Sequence, residues 1–242
     1  MAQDTKRQTT IAQLWPRLIQ WLLVLALPVG LLALDLRVVT SHWFVQWEYG
    51  KAGFPPDPLG LSTAERARLA EACVDYLATN ADIALLADLQ LPDGQPAFNA
   101  RELRHMADVQ AVYSRIMLAG IVAGAVLVGG IAALLIARSR RERDVLSYAA
   151  AALLKGSLLT LALLGGVGAF MALSWDSFFV AFHRVFFEGE TWIFPYSDTL
   201  IRLFPVRFWM DVGITIVGIL LLTAVVIGIG GRIWMRRIRS KT

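Results

Sequence analysis

Two histidines are the residues of this chain best suited to carry chemistry. His105 lies three residues after Glu102 and three before Asp108, so these side chains share one face of a helix. His183 lies in a run of phenylalanines. Imidazole titrates near neutral pH, so it can both take up and release a proton there. We therefore single out His105 and His183 as the candidate functional residues.

The segment around His183 has the composition of an apolar pocket. Residues 175–209 contain 12 of the chain's 25 aromatic residues. The segment is too short and too charged to cross a bilayer, so we expect it to lie in the outer leaflet. An apolar wall with a reactive group inside is typical of a lipid-binding site. Four phenylalanines are the predicted pocket residues: Phe179, Phe182, Phe186 and Phe187.

Other chemistries find little support in the sequence. No HExxH, HxxxH or cysteine cluster is present, so we predict no metal site, although a weak three-histidine zinc site that includes His42 stays open. No GxSxG motif points to a serine hydrolase. No phosphate-binding motif points to a nucleotide, so we expect no cofactor. The single cysteine, Cys73, lies on an apolar helical stripe and is predicted to be a buried structural thiol.

The composition excludes a soluble enzyme and a disordered chain. Hydrophobic residues make up 57% of the 242 residues, charged residues only 17%, and the mean hydropathy is +0.57. A helix needs about 20 apolar residues to cross a bilayer. Four stretches meet this requirement, and we predict transmembrane helices at 18–38, 113–137, 148–174 and 210–231. No cleavage site of small residues follows Leu34, so we expect the first span to be retained.

The charges predict how the helices are oriented. Segments 1–17, 138–147 and 232–242 together carry a net charge of +9. The longer segments 39–112 and 175–209 together are acidic, with a net charge of −6. Basic residues beside helix ends mark the cytoplasmic side. We therefore predict an all-α integral membrane protein with both termini inside, a helical extracytoplasmic segment and an aromatic-rich one. The high pI reflects this asymmetry and not a nucleic-acid partner.

Both histidine segments resemble one known family. The first motif is Phe98-Asn99 followed by Glu102-Leu103-Arg104-His105-Met106 and Asp108-Val109. The second is Phe179, Phe182-His183, Phe186-Phe187, Gly189 and Thr191-Trp192, with Asp198, Phe204-Pro205 and Phe208-Trp209 beyond it. Together with the four-span layout, they resemble the lipoprotein intramolecular transacylases (Lit). The resemblance covers nearly the whole chain, although residues 50–95 match only in helical outline.

The resemblance implies a multi-pass enzyme of the bacterial plasma membrane with its active site at the outer face. Its substrate would be a lipoprotein whose N-terminal cysteine carries a diacylglyceryl group. The sn-2 acyl chain would move to the α-amino group of that cysteine, which gives a lyso-form lipoprotein. Partners would be membrane lipids and the lipoprotein, and we expect a monomer.

The family's functional histidines correspond to His105 and His183, and the assignment of base and acid stays open. Supporting roles fall to Glu102 and Asp108 as groups that orient His105, to Arg104 as a hydrogen-bond donor, and to Trp192 and Asp198. Two alternatives remain: a lipid hydrolase or acyltransferase with an external acceptor, and a non-catalytic lipid-binding or sensor subunit.

Overall fold

The described part of the chain is helical throughout. The structure, a computed structural model, describes residues 2–138 and 145–240, with side chains for residues 14–136 and 145–240. Most of the basic loop predicted at 138–147 lies outside these residues. Nine helices form within them, and a single β-bridge between Gln90 and Pro96 is the extended pairing there. The helices are α1 (Ala2–Val39), α2 (His42–Tyr49), α3 (Thr63–Thr79), α4 (Ala84–Ala87), α5 (Ala100–Arg138), α6 (Val145–Leu173), α7 (Trp175–Phe186), α8 (Thr199–Leu203) and α9 (Val206–Arg239).

Four of these helices are long and apolar enough to cross a membrane. They include Leu14–Val39, Ala100–Ile136, Val145–Leu173 and Val206–Arg239, with 26, 37, 29 and 34 residues. The predicted all-α fold with four membrane-spanning helices is therefore confirmed. As the sequence also predicts, the helix that carries the first histidine motif continues without a break into the second span.

The chain divides into two compact units. The first consists of residues 1–34, 118–167 and 218–242. Its buried core contains Leu23, Val24, Leu134, Val145, Ala149 and Ala152. Helices approach closely there through small residues: a Cβ on Gly120 would overlap the Ala33 side chain. Close approach of this kind gives membrane helices their van der Waals contact, since lipid and side chains are equally apolar.

The second unit consists of residues 35–117 and 168–217 and contains both histidine motifs. Its main core packs one face of α3 against α4, the start of α5 and α8, with Leu69, Cys73, Tyr76, Leu86, Ala97, Phe98, Met106, Leu200 and Leu203 buried. Ser62 caps α3 by accepting the backbone N–H of Glu65 at 3.2 Å. Cys73 is 2% exposed, and burial raises the pKa of its thiol, so it is an inert core residue.

Helix α8 is short, and arginines fix its C-terminal end. Arg66 of α3 is buried and donates to the backbone carbonyls of Arg202 (2.9 Å from Nε) and Pro55 (2.8 Å). Arg202 in turn forms a bidentate pair with Asp57, at 3.0 and 2.9 Å. The Asp57 side chain is fully buried, and the pair with Arg202 lowers its pKa. The segment at 55–57 and α3 are thereby joined to α8, whose Arg202 lies 136 residues after Arg66 in the chain.

Candidate active site

Helix α5 holds His105 in its second turn, and local hydrogen bonds fix where this helix begins. The side-chain oxygen of Asn99 accepts the backbone N–H groups of Arg101 (2.9 Å) and Glu102 (3.1 Å). In return, a carboxylate oxygen of Glu102 accepts the backbone N–H of Asn99 at 2.8 Å. This reciprocal cap satisfies amides that have no partner inside the helix. It therefore sets the register in which His105 is presented.

A backbone hydrogen bond in helix α7 fixes the tautomer of His183. The Nδ1 atom of His183 lies 2.7 Å from the backbone carbonyl oxygen of Phe179, one turn earlier. A carbonyl oxygen only accepts, so Nδ1 must carry the hydrogen and donate it. In the neutral ring Nε2 then has a free lone pair. The local backbone thus prepares Nε2 of His183 to accept a proton.

The two histidines face each other. Their ring centroids are 6.3 Å apart, with an angle of 22° between the ring planes. His105 is 9% exposed, and no described residue hydrogen-bonds to its ring. The two imidazoles come from motifs 78 positions apart in the sequence. A substrate atom placed between them could therefore contact both rings.

Aromatic side chains enclose this histidine pair. Phe187 contacts both rings, at 5.0 Å from His105 and 5.6 Å from His183 between centroids. The other ring contacts of His183 are with Phe179 at 4.1 Å, Trp192 at 4.9 Å and Phe182 at 5.5 Å. The predicted pocket residue Phe186 contacts Phe182 instead, at 4.9 Å. The walls therefore bury His105 and cover part of the His183 ring, and they leave both imidazoles in reach of an apolar substrate.

A tight turn brings Trp192 to His183. Gly189 has a φ of +66°, in the left-handed region that favours glycine. The indole N–H of Trp192 donates to the carbonyl of Gly189 at 3.2 Å, which closes the turn. The indole ring is inclined 31° to the imidazole of His183. Trp192, predicted as a supporting residue, is thus a wall of the site whose one donor is already used.

The apolar walls set the titration of His183. Burial lowers the pKa of this histidine below its ordinary value, and the hydrogen bond to the Phe179 carbonyl opposes this shift only in part. The ring is therefore neutral at pH 7. A neutral imidazole with a free Nε2 is the form required of a general base.

Sequence reasoning missed one wall residue. Phe194 packs its ring edge-on to His105, with 5.3 Å between centroids. The guanidinium of Arg101 lies 5.7 Å from the same phenylalanine ring. The signal in the sequence was the aromatic-rich segment as a whole, which gave no reason to choose this position over its neighbours.

Neither predicted orienting carboxylate forms a hydrogen bond with His105 within the described residues. One oxygen of Glu102 takes part in the α5 cap, and the other accepts the backbone N–H of Leu200 at 2.7 Å. Glu102 thus ties α8 to α5 and does not orient His105, which corrects the prediction. Asp108 forms no hydrogen bond or ion pair with any residue that the structure describes. The helix cap instead uses the pair three residues apart at Asn99 and Glu102.

The remaining supporting residues lie at the mouth of the site. Asp198 accepts from Arg101 at 2.9 Å, in an ion pair between the start of α8 and the first turn of α5. Arg104 is exposed and lines a groove beside the histidine pair. These positions give Asp198 a structural contact and leave Arg104 available to a ligand.

His42 has a partner of its own, away from the pair. Its Nε2 lies 2.8 Å from a carboxylate oxygen of Asp75 on α3, and both side chains are about half exposed. Among residues 14–136 and 145–240, no three histidine, cysteine, aspartate or glutamate side chains come close enough to hold a metal ion. The three-histidine arrangement that includes His42 is therefore not formed.

Comparison with known proteins decides the family. The sequence profile of the family described as lipoprotein intramolecular transacylase Lit matches residues 21–209. The chain belongs to the Lit family. An uncharacterized protein of Aquifex aeolicus (strain VF5) is 32% identical over 195 residues, which cover 81% of this chain and 84% of that relative. The family predicted from the two histidine motifs is confirmed.

Solved structures of a Lit protein share the fold. The membrane-integral lipoprotein intramolecular transacylase Lit from Bacillus cereus matches with a TM-score of 0.77 at 23% identity, over 93% of this chain and 98% of that chain. A variant of the same protein, with one histidine replaced by arginine, gives a TM-score of 0.69 at 21% identity, over 98% and 100%. The chain is therefore a membrane-integral protein with the Lit fold.

Proposed function

We propose that this protein moves the sn-2 acyl chain of a diacylglyceryl-lipoprotein to the α-amino group of its N-terminal cysteine, by histidine acid/base catalysis. The observation that carries the proposal is the pair of imidazoles, 6.3 Å apart inside aromatic walls. The reaction turns an ester into a more stable amide, so it needs no energy source. It needs an attacking amine, a base that accepts one proton, and a hydrogen-bond donor for the developing oxyanion.

Positioning is a large part of the catalysis that the reaction requires. Donor ester and acceptor amine belong to one molecule, so the enzyme has to fold the lipidated residue into a cyclic arrangement. Holding reacting groups in the correct geometry can contribute about 7–11 kcal/mol to lowering a barrier. Apolar walls such as Phe179 and Phe187 fit the acyl chains and keep water from competing with the amine.

His183 acts as the base in this proposal. Its Nδ1–H is held by the Phe179 carbonyl, so the free Nε2 takes the proton that the attacking amine loses. The resulting imidazolium then gives this proton to the sn-2 glycerol oxygen as the ester bond breaks. One proton moves from nitrogen to oxygen, and the enzyme returns to its starting state.

His105 acts as the hydrogen-bond donor. Its Nδ1 is buried without a partner. An unpaired acceptor is tolerated in a protein interior better than an unpaired N–H, so the hydrogen belongs on Nε2. A neutral Nε2–H can donate to the oxyanion of the tetrahedral intermediate. A second positive charge beside the His183 imidazolium would be repelled, which also favours a neutral donor.

We infer the location from the charge asymmetry of the sequence. Both termini lie in the cytoplasm of a bacterium, and residues 39–112 and 175–209 face outward, where lipoproteins are anchored. The histidine pair is then at the outer face of the plasma membrane. We expect the working unit to be a monomer because the described second unit supplies both histidines and their walls.

Mass spectrometry of lipoproteins tests the proposal. Lipoproteins are isolated from a host with and without the gene, and the N-terminal lipopeptides are fragmented. Transfer of one acyl chain from glycerol to the amine at constant mass supports the transacylase. Loss of a chain would indicate a hydrolase, gain of a chain elsewhere an acyltransferase with an external acceptor, and no change a lipid-binding protein.

A further inference from the structure

A groove with charged side chains at its edge lies beside the first turn of α5. It has a volume of about 310 Å³ and is lined by Ala100, Arg101, Arg104, Glu190 and Thr191. Arg104 immediately precedes His105 on α5. Thr191 immediately precedes Trp192, whose ring lies 4.9 Å from that of His183. Arg101, which lines the groove, lies 5.7 Å from the ring of Phe194, and that ring lies 5.3 Å from His105, so the groove adjoins a wall of the histidine pair.

The groove presents two charges of opposite sign that lack partners. Arg101 is paired with Asp198 at 2.9 Å, so its charge is compensated. The side chains of Arg104 and Glu190 are exposed, and within the described residues neither forms an ion pair or hydrogen bond. The Thr191 hydroxyl is buried without a partner. The groove thus offers an acceptor to a cation and a donor to an oxygen.

We propose that this groove binds the polar backbone of the lipidated cysteine, with Glu190 accepting the α-ammonium and Arg104 donating to the peptide carbonyl. The inference rests on the proposed function and adds the residues that select its substrate. An N-terminal residue carries an ammonium and a carbonyl oxygen a few bonds apart, which matches the two free charges. Anionic phospholipids such as phosphatidylglycerol instead present a phosphate without an ammonium, which Glu190 repels.

This assignment separates binding from chemistry. Glu190 and Arg104 hold the polar end of the substrate, whereas the proton moves at His183. Loss of either groove charge should therefore raise KM and leave kcat nearly unchanged. The carboxylate favours the ammonium form during capture. One ammonium proton passes to solvent before the attack, and the second moves to Nε2 of His183 as the neutral amine attacks.

The test uses purified full-length protein and a synthetic S-diacylglyceryl-cysteinyl peptide. Glu190→Gln and Arg104→Gln should each raise KM about five- to tenfold, with kcat within about twofold of the original value. Glu188→Gln and Arg184→Gln are matched controls, because both side chains are exposed, lie near His183 in sequence and do not line the groove. These controls should leave KM unchanged.

The N-acetylated form of the same lipopeptide distinguishes the two contacts. It has no ammonium and cannot react, so it acts as a competitive inhibitor. Arg104→Gln should weaken its inhibition, whereas Glu190→Gln should not. Equal weakening by both variants, or unchanged KM in both, would overturn the assignment.

Two further outcomes are decisive. Inhibition of the original protein by phosphatidylglycerol vesicles that Arg104→Gln relieves would show a phosphate site and overturn the proposal. A purified protein that transfers no acyl chain would refute the proposed function. Altered KM in the groove variants of an active enzyme supports the inference, so the two failures are distinguishable.

Discussion

At the scale of single residues, the hydrogen bond from His183 to the Phe179 carbonyl leaves Nε2 of His183 free to accept a proton. The proposal therefore gives the two histidines different roles, His183 as base and His105 as hydrogen-bond donor. His183→Gln should abolish lyso-form lipoprotein, because an amide cannot carry the proton that the mechanism moves. A general base contributes about 10²–10⁴-fold to a rate. His105→Gln should keep part of the activity that His105→Ala loses, because an amide N–H can still donate. Single-turnover rates of the purified variants measure the difference.

Two controls accompany these variants. Cys73→Ser alters a buried thiol outside the histidine pair, and His42→Ala removes an exposed ion pair of small energetic value. Both should keep substantial activity. Equal loss in His183→Gln and His105→Gln would contradict the division of roles, and normal activity in either histidine-to-alanine variant would refute the pair.

The pH profile tests the burial of His183. The base works when neutral, and burial lowers the pKa of His183, so activity should persist to lower pH than an exposed histidine would allow. Trp192→Ala removes a wall and admits water. This change stabilises the imidazolium, raises the pKa of His183 and moves the acid limb of kcat/KM to higher pH.

Phe186→Ala is the control for this pH experiment, because Phe186 contacts Phe182 and not the imidazoles. In Phe186→Ala, the acid limb of the kcat/KM profile should lie at the same pH as in the unmodified enzyme. A limb that does not move in Trp192→Ala would show that burial by this ring does not set the titration.

At the scale of elements, α8 depends on the buried pair of Arg202 and Asp57. The side chains are 8% and 0% exposed. Removing one partner of a buried pair leaves the other charge uncompensated, which costs about 3–5 kcal/mol. Arg202→Met should therefore lower the Tm in detergent. Arg68→Met, which breaks the more exposed pair with Glu65, should change it little. Equal changes of Tm in the two variants would show that the buried pair stabilises the protein no more than the exposed pair does.

Packing between α1 and α5 gives a second test at this scale. A side chain at Gly120 would overlap Ala33, whereas Gly124, one turn later, has no atom within 4 Å of its added Cβ. Gly120→Leu should reduce the Tm, since overpacking costs about 1–3 kcal/mol. Gly124→Leu adds the same side chain on an open face and should be neutral. Comparable losses in both would mean that side-chain size alone matters.

Hydropathy and spacing predicted the helices well, because a bilayer leaves few ways to pair the N–H and C=O groups of a backbone. The four spans and the unbroken α5 follow from this constraint. The two histidines were predicted as site residues because each has a distinctive local setting, and the structure places their rings 6.3 Å apart. The sequence did not predict the role of Glu102 in the helix cap, because residues three apart can either contact each other on a helix face or form a cap. The hydrogen bonds of Arg66 to the Arg202 carbonyl, 136 residues away, leave no local pattern.

At the scale of the whole molecule, charge asymmetry predicts the orientation in the membrane. Residues 1–17, 138–147 and 232–242 carry +9, and the longer segments 39–112 and 175–209 carry −6. Lysine and arginine beside spans are retained in the cytoplasm. Periplasm-active reporters fused after Asp93 should be active, and those fused after Arg141 or at the C-terminal Thr242 should be inactive. Cytoplasm-active reporters at the same positions should give the opposite pattern. An active periplasmic reporter at Thr242 would require an odd number of spans and refute the proposed topology.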